Sequence, residues 1–226
     1  MARLTLLDSA PLPGGGEMRL FQDGAHYSIK VATAGDLMST RTHGSEDALG
    51  ELGCLSLAQR PQTRVLIGGL GMGFTLAAAL RCLDTTAEVV VAELVPAVVA
   101  WNRGPLGAHA GFPLQDPRAL VREIDVAAII KAARASFDAI LLDVDNGPEG
   151  LTHVGNGWLY STTGLKAIHA ALRAKGVLAV WSAGPDAEFT RRLQRCGYSV
   201  DERTVRAHAN RGARHRVWLA TRLPAG

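Results

Sequence analysis

Residues 64–74 read R-V-L-I-G-G-L-G-M-G-F, and this stretch decides the fold. Val65, Leu66 and Ile67 form an apolar run suited to a strand buried on both faces. Gly68, Gly69, Gly71 and Gly73 follow in a turn nearly free of Cβ atoms, and residues 74–83 carry the apolar pattern of a helix. A ligand can lie against the backbone of such a turn, because no side chain intrudes and the helix start presents unpaired N–H groups. A second apolar run, residues 87–93, ends on Glu93. In a nucleoside-binding α/β fold an acid about 20 residues beyond the glycine loop accepts hydrogen bonds from ribose hydroxyls. Loop and acid together point to a nucleoside.

The frame of the glycines discriminates further. A dinucleotide fingerprint, G-x-G-x-x-G, requires glycine at position 74 or 76, where Phe74 and Leu76 stand, and the Gly-Lys-Ser/Thr of a phosphate-binding P-loop is absent. Gly69-x-Gly71-x-Gly73 resembles instead the first motif of the S-adenosylmethionine-dependent, class I methyltransferase fold.

A chain of 226 residues can hold one α/β domain of six or seven strands and a small appendage. With 47% hydrophobic and 20% charged residues it has the composition of an ordinary soluble protein. The net charge of +3 is slight, so no nucleic-acid partner is expected. Cys54, Cys82 and Cys196 are odd in number and lack C-x-x-C spacing, which argues against a disulfide framework or a metal site and suits a reducing cytoplasm. The N-terminus, M-A-R-L-T-L-L-D, lacks the apolar core of a signal peptide, and the longest apolar stretches are broken by glycines or charges. A cytoplasmic protein with no membrane partner is expected.

Residues 1–44 are expected to form a small antiparallel β-meander. M-R-L-F, H-Y-S-I-K-V-A-T and L-M-S-T-R alternate apolar and polar positions around Asp-Gly and Gly-Asp turns, and 11–16, P-L-P-G-G-G, is a flexible break. Ser45 is positioned to cap a helix running to about residue 58, with Glu46 and Asp47 in its first turn. Strands and helices then alternate through 45–226, ending in two strands near 198–206 and 214–221. The fold class predicted is α/β, a doubly wound Rossmann-like methyltransferase sheet with the meander at its N-terminus.

In such a sheet ligands sit outside the carboxyl ends of the strands. Glu93 ends the second parallel strand, Asp125 follows the third, and Asp143 ends the fourth in D-A-I-L-L-D-V-D-N-G-P, with Asp145 just beyond. Asp125 also opens a helix, so capping and ligand contact are both open to it. Asp143 follows an I-L-L run, where a half-buried carboxylate needs a ligand or a donor.

From about residue 17 onward these features resemble the spermidine synthase (polyamine aminopropyltransferase) family. The resemblance implies that Glu93 holds the ribose, that Asp125 lies by the adenine amino group, and that Asp143 acts on the attacking amine. The sequence also departs from that family. Its loop, G-G-G-D-G-G, carries an acid that grips the amine of decarboxylated S-adenosylmethionine, and here Leu70 and Gly71 stand in that stretch. Its tyrosine-histidine pair is close to H-G-S-E-D at 43–47, D-S-S-D-P has become D-V-D-N-G-P at 143–148, and its proline-rich segment is replaced by A-H-A-N-R-G-A-R-H-R.

A glycine in place of that acid suits a cofactor that keeps its carboxylate, because backbone N–H groups tolerate an anion where aspartate repels one. The activity expected is therefore transfer from S-adenosylmethionine, as a methyltransferase acting on a small molecule. The alternatives are aminopropyl transfer from decarboxylated S-adenosylmethionine and a non-catalytic nucleoside-binding partner subunit. Catalytic candidates are Asp143 and Asp145. Cofactor candidates are Gly69, Gly71, Gly73, Glu93, Leu94, Ile124, Asp125 and Asp143. Substrate candidates are His43, Ser45 and Glu46 near the meander, and Trp158 and Tyr160, whose loop could close over the crevice or pack on the core. The arginines at 203, 206, 211, 214 and 216 suit a solvated face or an acidic partner. The alanine- and leucine-rich helices at 45–58 and 72–83 provide core packing and a face for a homodimer.

Overall fold

The computed structural model describes residues 4–31, 35–58, 60–144, 156–208 and 211–224. Its N-terminal part is a four-stranded antiparallel sheet in sequential order: β1 (Thr5–Pro11), β2 (Glu17–Asp23), β3 (His26–Val31) and β4 (Gly35–Ser39). Three of these strands follow the alternation seen in the sequence. β1 is additional: in T-L-L-D-S-A-P only Ala10 is buried, so the segment has no buried face to betray it and is a strand through its pairing with β2.

The second sheet has seven strands in the order β10-β11-β9-β8-β5-β6-β7. β5 (Arg64–Gly68), β6 (Glu88–Ala92), β7 (Ala119–Arg122), β8 (Phe137–Leu142) and β9 (Leu172–Ser182) run parallel. The long hairpin β10 (Tyr198–His208) and β11 (Arg211–Arg222) closes one side antiparallel. Alternate strand residues feed two cores. Val65, Ile67, Val89, Val91, Ala139 and Leu141 pack under α1 (Gly44–Cys54), α2 (Phe74–Cys82) and α3 (Pro96–Arg103), together with Leu20 and Ile29 of the first sheet. Leu66, Val90, Ile140, Leu178 and Trp218 face α4 (Val126–Ala132), the short α5 (Gly157–Tyr160), α6 (Thr162–Ala171) and α7 (Ala187–Arg195). Helices on both faces of a mostly parallel sheet make this the doubly wound arrangement. α6 stops at Ala171, because Leu172 already pairs with Phe137 of β8.

Two features of this architecture set up a site. The chain winds from β5 outward to β6 and β7, then returns to β8 on the other side of β5, so the loops after β5 and β8 part at a topological switch point. Above it, α1 and α2 pack closely: a Cβ on Gly50 would lie 2.6 Å from Ala78 Cβ and 2.6 Å from the carbonyl oxygen of Thr75. Only a glycine permits that approach, and it brings the first turn of α1 over the loop. Gly50→Ala is therefore expected to wedge the helices apart and destabilise the fold by about 1–3 kcal/mol. Urea denaturation would measure this, and an unchanged midpoint would refute the tight contact.

Candidate active site

The glycine loop is held from β6, from α3 and by a turn of its own. Gly69 N donates to Ala92 O at 2.9 Å, Gly73 N to Leu70 O at 2.9 Å, and Asn102 Nδ2 of α3 to Gly71 O at 2.8 Å. Gly69, Gly71 and Gly73 have φ of 88°, 52° and 84°, the left-handed region that favours glycine. At Gly69 sterics reinforce the dihedral, since a Cβ there would stand 2.2 Å from the carbonyl oxygen of Asp143. The loop after β5 and the end of β8 thus touch through backbone alone.

Glu93 is 8% exposed at the end of β6, and its carboxylate accepts from Leu70 N at 2.9 Å and Val95 N at 2.8 Å. It braces the glycine loop and the turn into α3, while burial pushes its pKa up against the pull of those donors. Asp125 is exposed and caps α4, accepting from Ala127 N at 2.8 Å. Beside these acids Leu94 and Ile124 leave their side chains exposed at adjacent strand ends, a sliver of apolar surface suited to a flat ring.

Asp143 begins the next part of the site. Its carboxylate is half-buried and accepts from Thr75 Oγ at 2.7 Å, and the same hydroxyl lies 3.2 Å from the carbonyl of Glu46. Asp143 and Glu46 line one pocket with Leu37 and Met38 of β4, Leu70, Gly71 and Met72 of the loop, Phe74 and Thr75 of α2, Val144, and Trp181 of β9. Its walls are apolar apart from Thr75 and the two acids. Neither acid is paired with a cation among the described residues. Burial raises Asp143 to about 6, and burial together with the charge of Asp143 raises Glu46 to about 7. Two carboxyl groups in an apolar pocket therefore hold protons well above the usual carboxylate range.

The pocket selects among the residues proposed from sequence. Glu46, Gly71 and Asp143 come together in it. Ser45 is not the helix cap: His43 holds that position without a side-chain cap bond, and the buried Ser45 hydroxyl donates to Glu46 Oε2 at 2.6 Å. His43 does not line the pocket: its ring is stacked on Phe74 at 4.0 Å and its Nδ1 is 2.7 Å from Asp47. Trp158 and Tyr160 lie on the opposite side of the sheet. Lys131 sits over the Trp158 ring, and Tyr160 is buried edge-on against Phe189, so both serve the core beneath α4, α6 and α7. Asp145 lies outside the described residues. Met38, Thr75 and Trp181 were not anticipated. Of these only Thr75 left a sequence signal, a lone hydroxyl in F-T-L-A-A-A-L directly after the last glycine. Among the described residues no group of three or more His, Cys, Asp or Glu is placed to hold a metal, and no helix is long and apolar enough to cross a membrane.

No family model matches the sequence, and no curated protein matches it. Among solved structures the chain is similar to a spermidine synthase from Thermotoga maritima, with a TM-score of 0.77 and 16% identity over 97% of this chain and 74% of that one. It is also similar to a spermidine synthase in complex with the transition state analogue AdoDATO, with a TM-score of 0.76 and 16% identity over 97% of this chain and 73% of that one. The protein accordingly has a Rossmann-like, class I methyltransferase fold. Within that class its fold is similar to those two spermidine synthases over 97% of this chain.

The raised acids set a pH dependence of stability. Their folded-state pKa values exceed the ordinary carboxylate values, so there is no penalty below about pH 4, where folded and unfolded chains both carry the protons. Stability falls as pH rises from about 4, where the unfolded chain ionises and the folded pocket does not, and levels off above the folded-state values of about 6 and about 7. Asp143→Asn or Glu46→Gln should therefore raise stability at pH 8 by about 1–3 kcal/mol and change it little at pH 4. Denaturation at the two pH values tests this, and a variant less stable than wild type at pH 8 would contradict it.

Proposed function

We propose that the protein is a nucleoside-dependent transferase that alkylates an amine, with aminopropyl transfer from decarboxylated S-adenosylmethionine as the leading reading. The observation that carries it is the pair Glu46 and Asp143, two carboxyls without cationic partners at the edge of a glycine loop. Buried carboxylates without partners are costly, and a pocket keeps them where a cationic ligand compensates the charge. The likeness in fold to spermidine synthases supports the same choice over methyl transfer.

The residues fit the donor. Gly69, Gly71 and Gly73 leave the backbone open, Glu93 reaches the loop and the next strand end, Leu94 and Ile124 offer an apolar edge, and Asp125 stands beside them. Glu93 would take the ribose hydroxyls and Asp125 the adenine amino group. The donor's sulfonium supplies an electrophilic carbon: its C–S bond breaks with the electron pair going to sulfur as the amine nitrogen forms the new C–N bond. Asp143 is the group to receive the amine's proton. Thr75 fixes its orientation, and a pKa near 6 lets it be ionised at neutral pH yet more basic than an ordinary aspartate.

Methyl transfer from S-adenosylmethionine remains a second reading on one specific ground, the absence of an acid at Gly71. A Cβ on Gly71 would lie 3.3 Å from Met38 Sδ, so a thioether covers the space where an acidic side chain of the loop would extend. The assay incubates the protein with either donor and a panel of primary amines and follows the nucleoside released. Methylthioadenosine from the decarboxylated donor is expected, and Asp143→Asn should lower its formation about 10²–10⁴-fold. S-adenosylhomocysteine as the only product would exchange the two readings, and full activity in Asp143→Asn would remove Asp143 as the base.

A further inference from the structure

We propose that Glu46, reaching the pocket from the first turn of α1, binds the terminal ammonium of the donor in place of the acid that the glycine loop lacks. This rests on the aminopropyl-transfer reading above. Aminopropyl transfer brings two nitrogen groups to one pocket: the ammonium at the end of the donor's three-carbon chain and the amine that attacks. The described lining contains two acids, and they come from different elements and are held differently. Asp143 follows β8 and is fixed by Thr75, the arrangement suited to orienting an attacking nitrogen. Glu46 is the longer side chain, tied through Ser45 to its own helix alone, the arrangement suited to following a flexible chain end.

The loop itself cannot provide this contact. Gly71 has no side chain, and Met38 Sδ is already within 3.3 Å of where a Cβ would be. Met38 and Gly71 line the same pocket as Glu46, so a donor chain crossing the loop meets a thioether and then a carboxylate instead of an acid rooted in the loop. The close packing at Gly50 draws α1 onto α2 and thereby holds Glu46 at the pocket that the loop lines. The acid would thus have moved from the loop to the helix that covers it, leaving the chemistry of ammonium recognition intact.

The test compares two sulfonium nucleosides by calorimetry: decarboxylated S-adenosylmethionine and its S-propyl analogue, which has the same sulfonium and chain length but no amine. Wild type should bind the amine-bearing donor about 10- to 100-fold more tightly, the worth of one charge-assisted contact. Glu46→Gln should bring the two within about twofold while leaving the affinity for the S-propyl analogue unchanged. Asp143→Asn should keep most of the preference, and Glu46→Asp should keep part of it. Glu46→Gln imitates the protonated form of a residue whose burial favours that form, so the variant is expected to fold. A tenfold or greater preference surviving in Glu46→Gln, or one lost in Asp143→Asn alone, would overturn the assignment. Wild type binding both nucleosides equally would overturn it and leave nucleoside binding standing. Binding of neither would overturn the transferase reading and this assignment with it.

Discussion

The contact on which the site depends is a backbone one, between the loop after β5 and the end of β8. The carbonyl oxygen of Asp143 occupies the space in which any side chain at position 69 would begin, and Gly69 takes a φ of 88° to pass it. Because these two segments meet without side chains, the Asp143 carboxylate emerges next to the glycine loop and not beneath it. The remaining parts are then brought to that junction: Glu93 and Asn102 brace the loop from β6 and α3, Thr75 orients Asp143, and the α1–α2 packing at Gly50 carries Glu46 across.

The pocket so formed works against stability. Apolar walls raise both acids, and no arginine or lysine among the described residues compensates them, although the chain does pair buried acids elsewhere. Asp138, at the opposite end of β8, is 2% exposed and receives Arg60, Arg173 and the backbone N–H of Arg64. The contrast separates an acid that organises the fold from two acids that line a pocket without a cation beside them. A half-buried carboxylate left without a cationic partner is a local departure from the rules that the rest of the chain obeys, and such departures concentrate at functional sites.

Much of this was legible in the sequence, for physical reasons that differ from residue to residue. The apolar run, the glycines and the acid at Glu93 mark a strand, a Cβ-free turn and a second strand end, and those are properties of short segments. Asp143 could be singled out because a carboxylate after I-L-L has few inexpensive environments. Glu46 was legible as part of an acidic first turn and, through H-G-S-E-D, as a substrate candidate, but its approach to Asp143 was not, since that depends on a helix–helix contact made through Gly50. Met38 carried no signal, because its role comes from how the first sheet stands over the loop. Trp158 and Tyr160 were open to either side of the sheet, and the apolar surface of α4, α6 and α7 decided it. β1 escaped notice because a strand that buries one residue has no periodicity to read.

The most direct test of the account is a crystal structure of the protein grown with methylthioadenosine. The ribose is expected on Glu93, the adenine beside Leu94, Ile124 and Asp125, and the thioether passing over Gly71 toward the pocket shared by Glu46 and Asp143. A nucleoside bound elsewhere, or a pocket in which both carboxyl groups have turned away to bond with the protein itself, would contradict it.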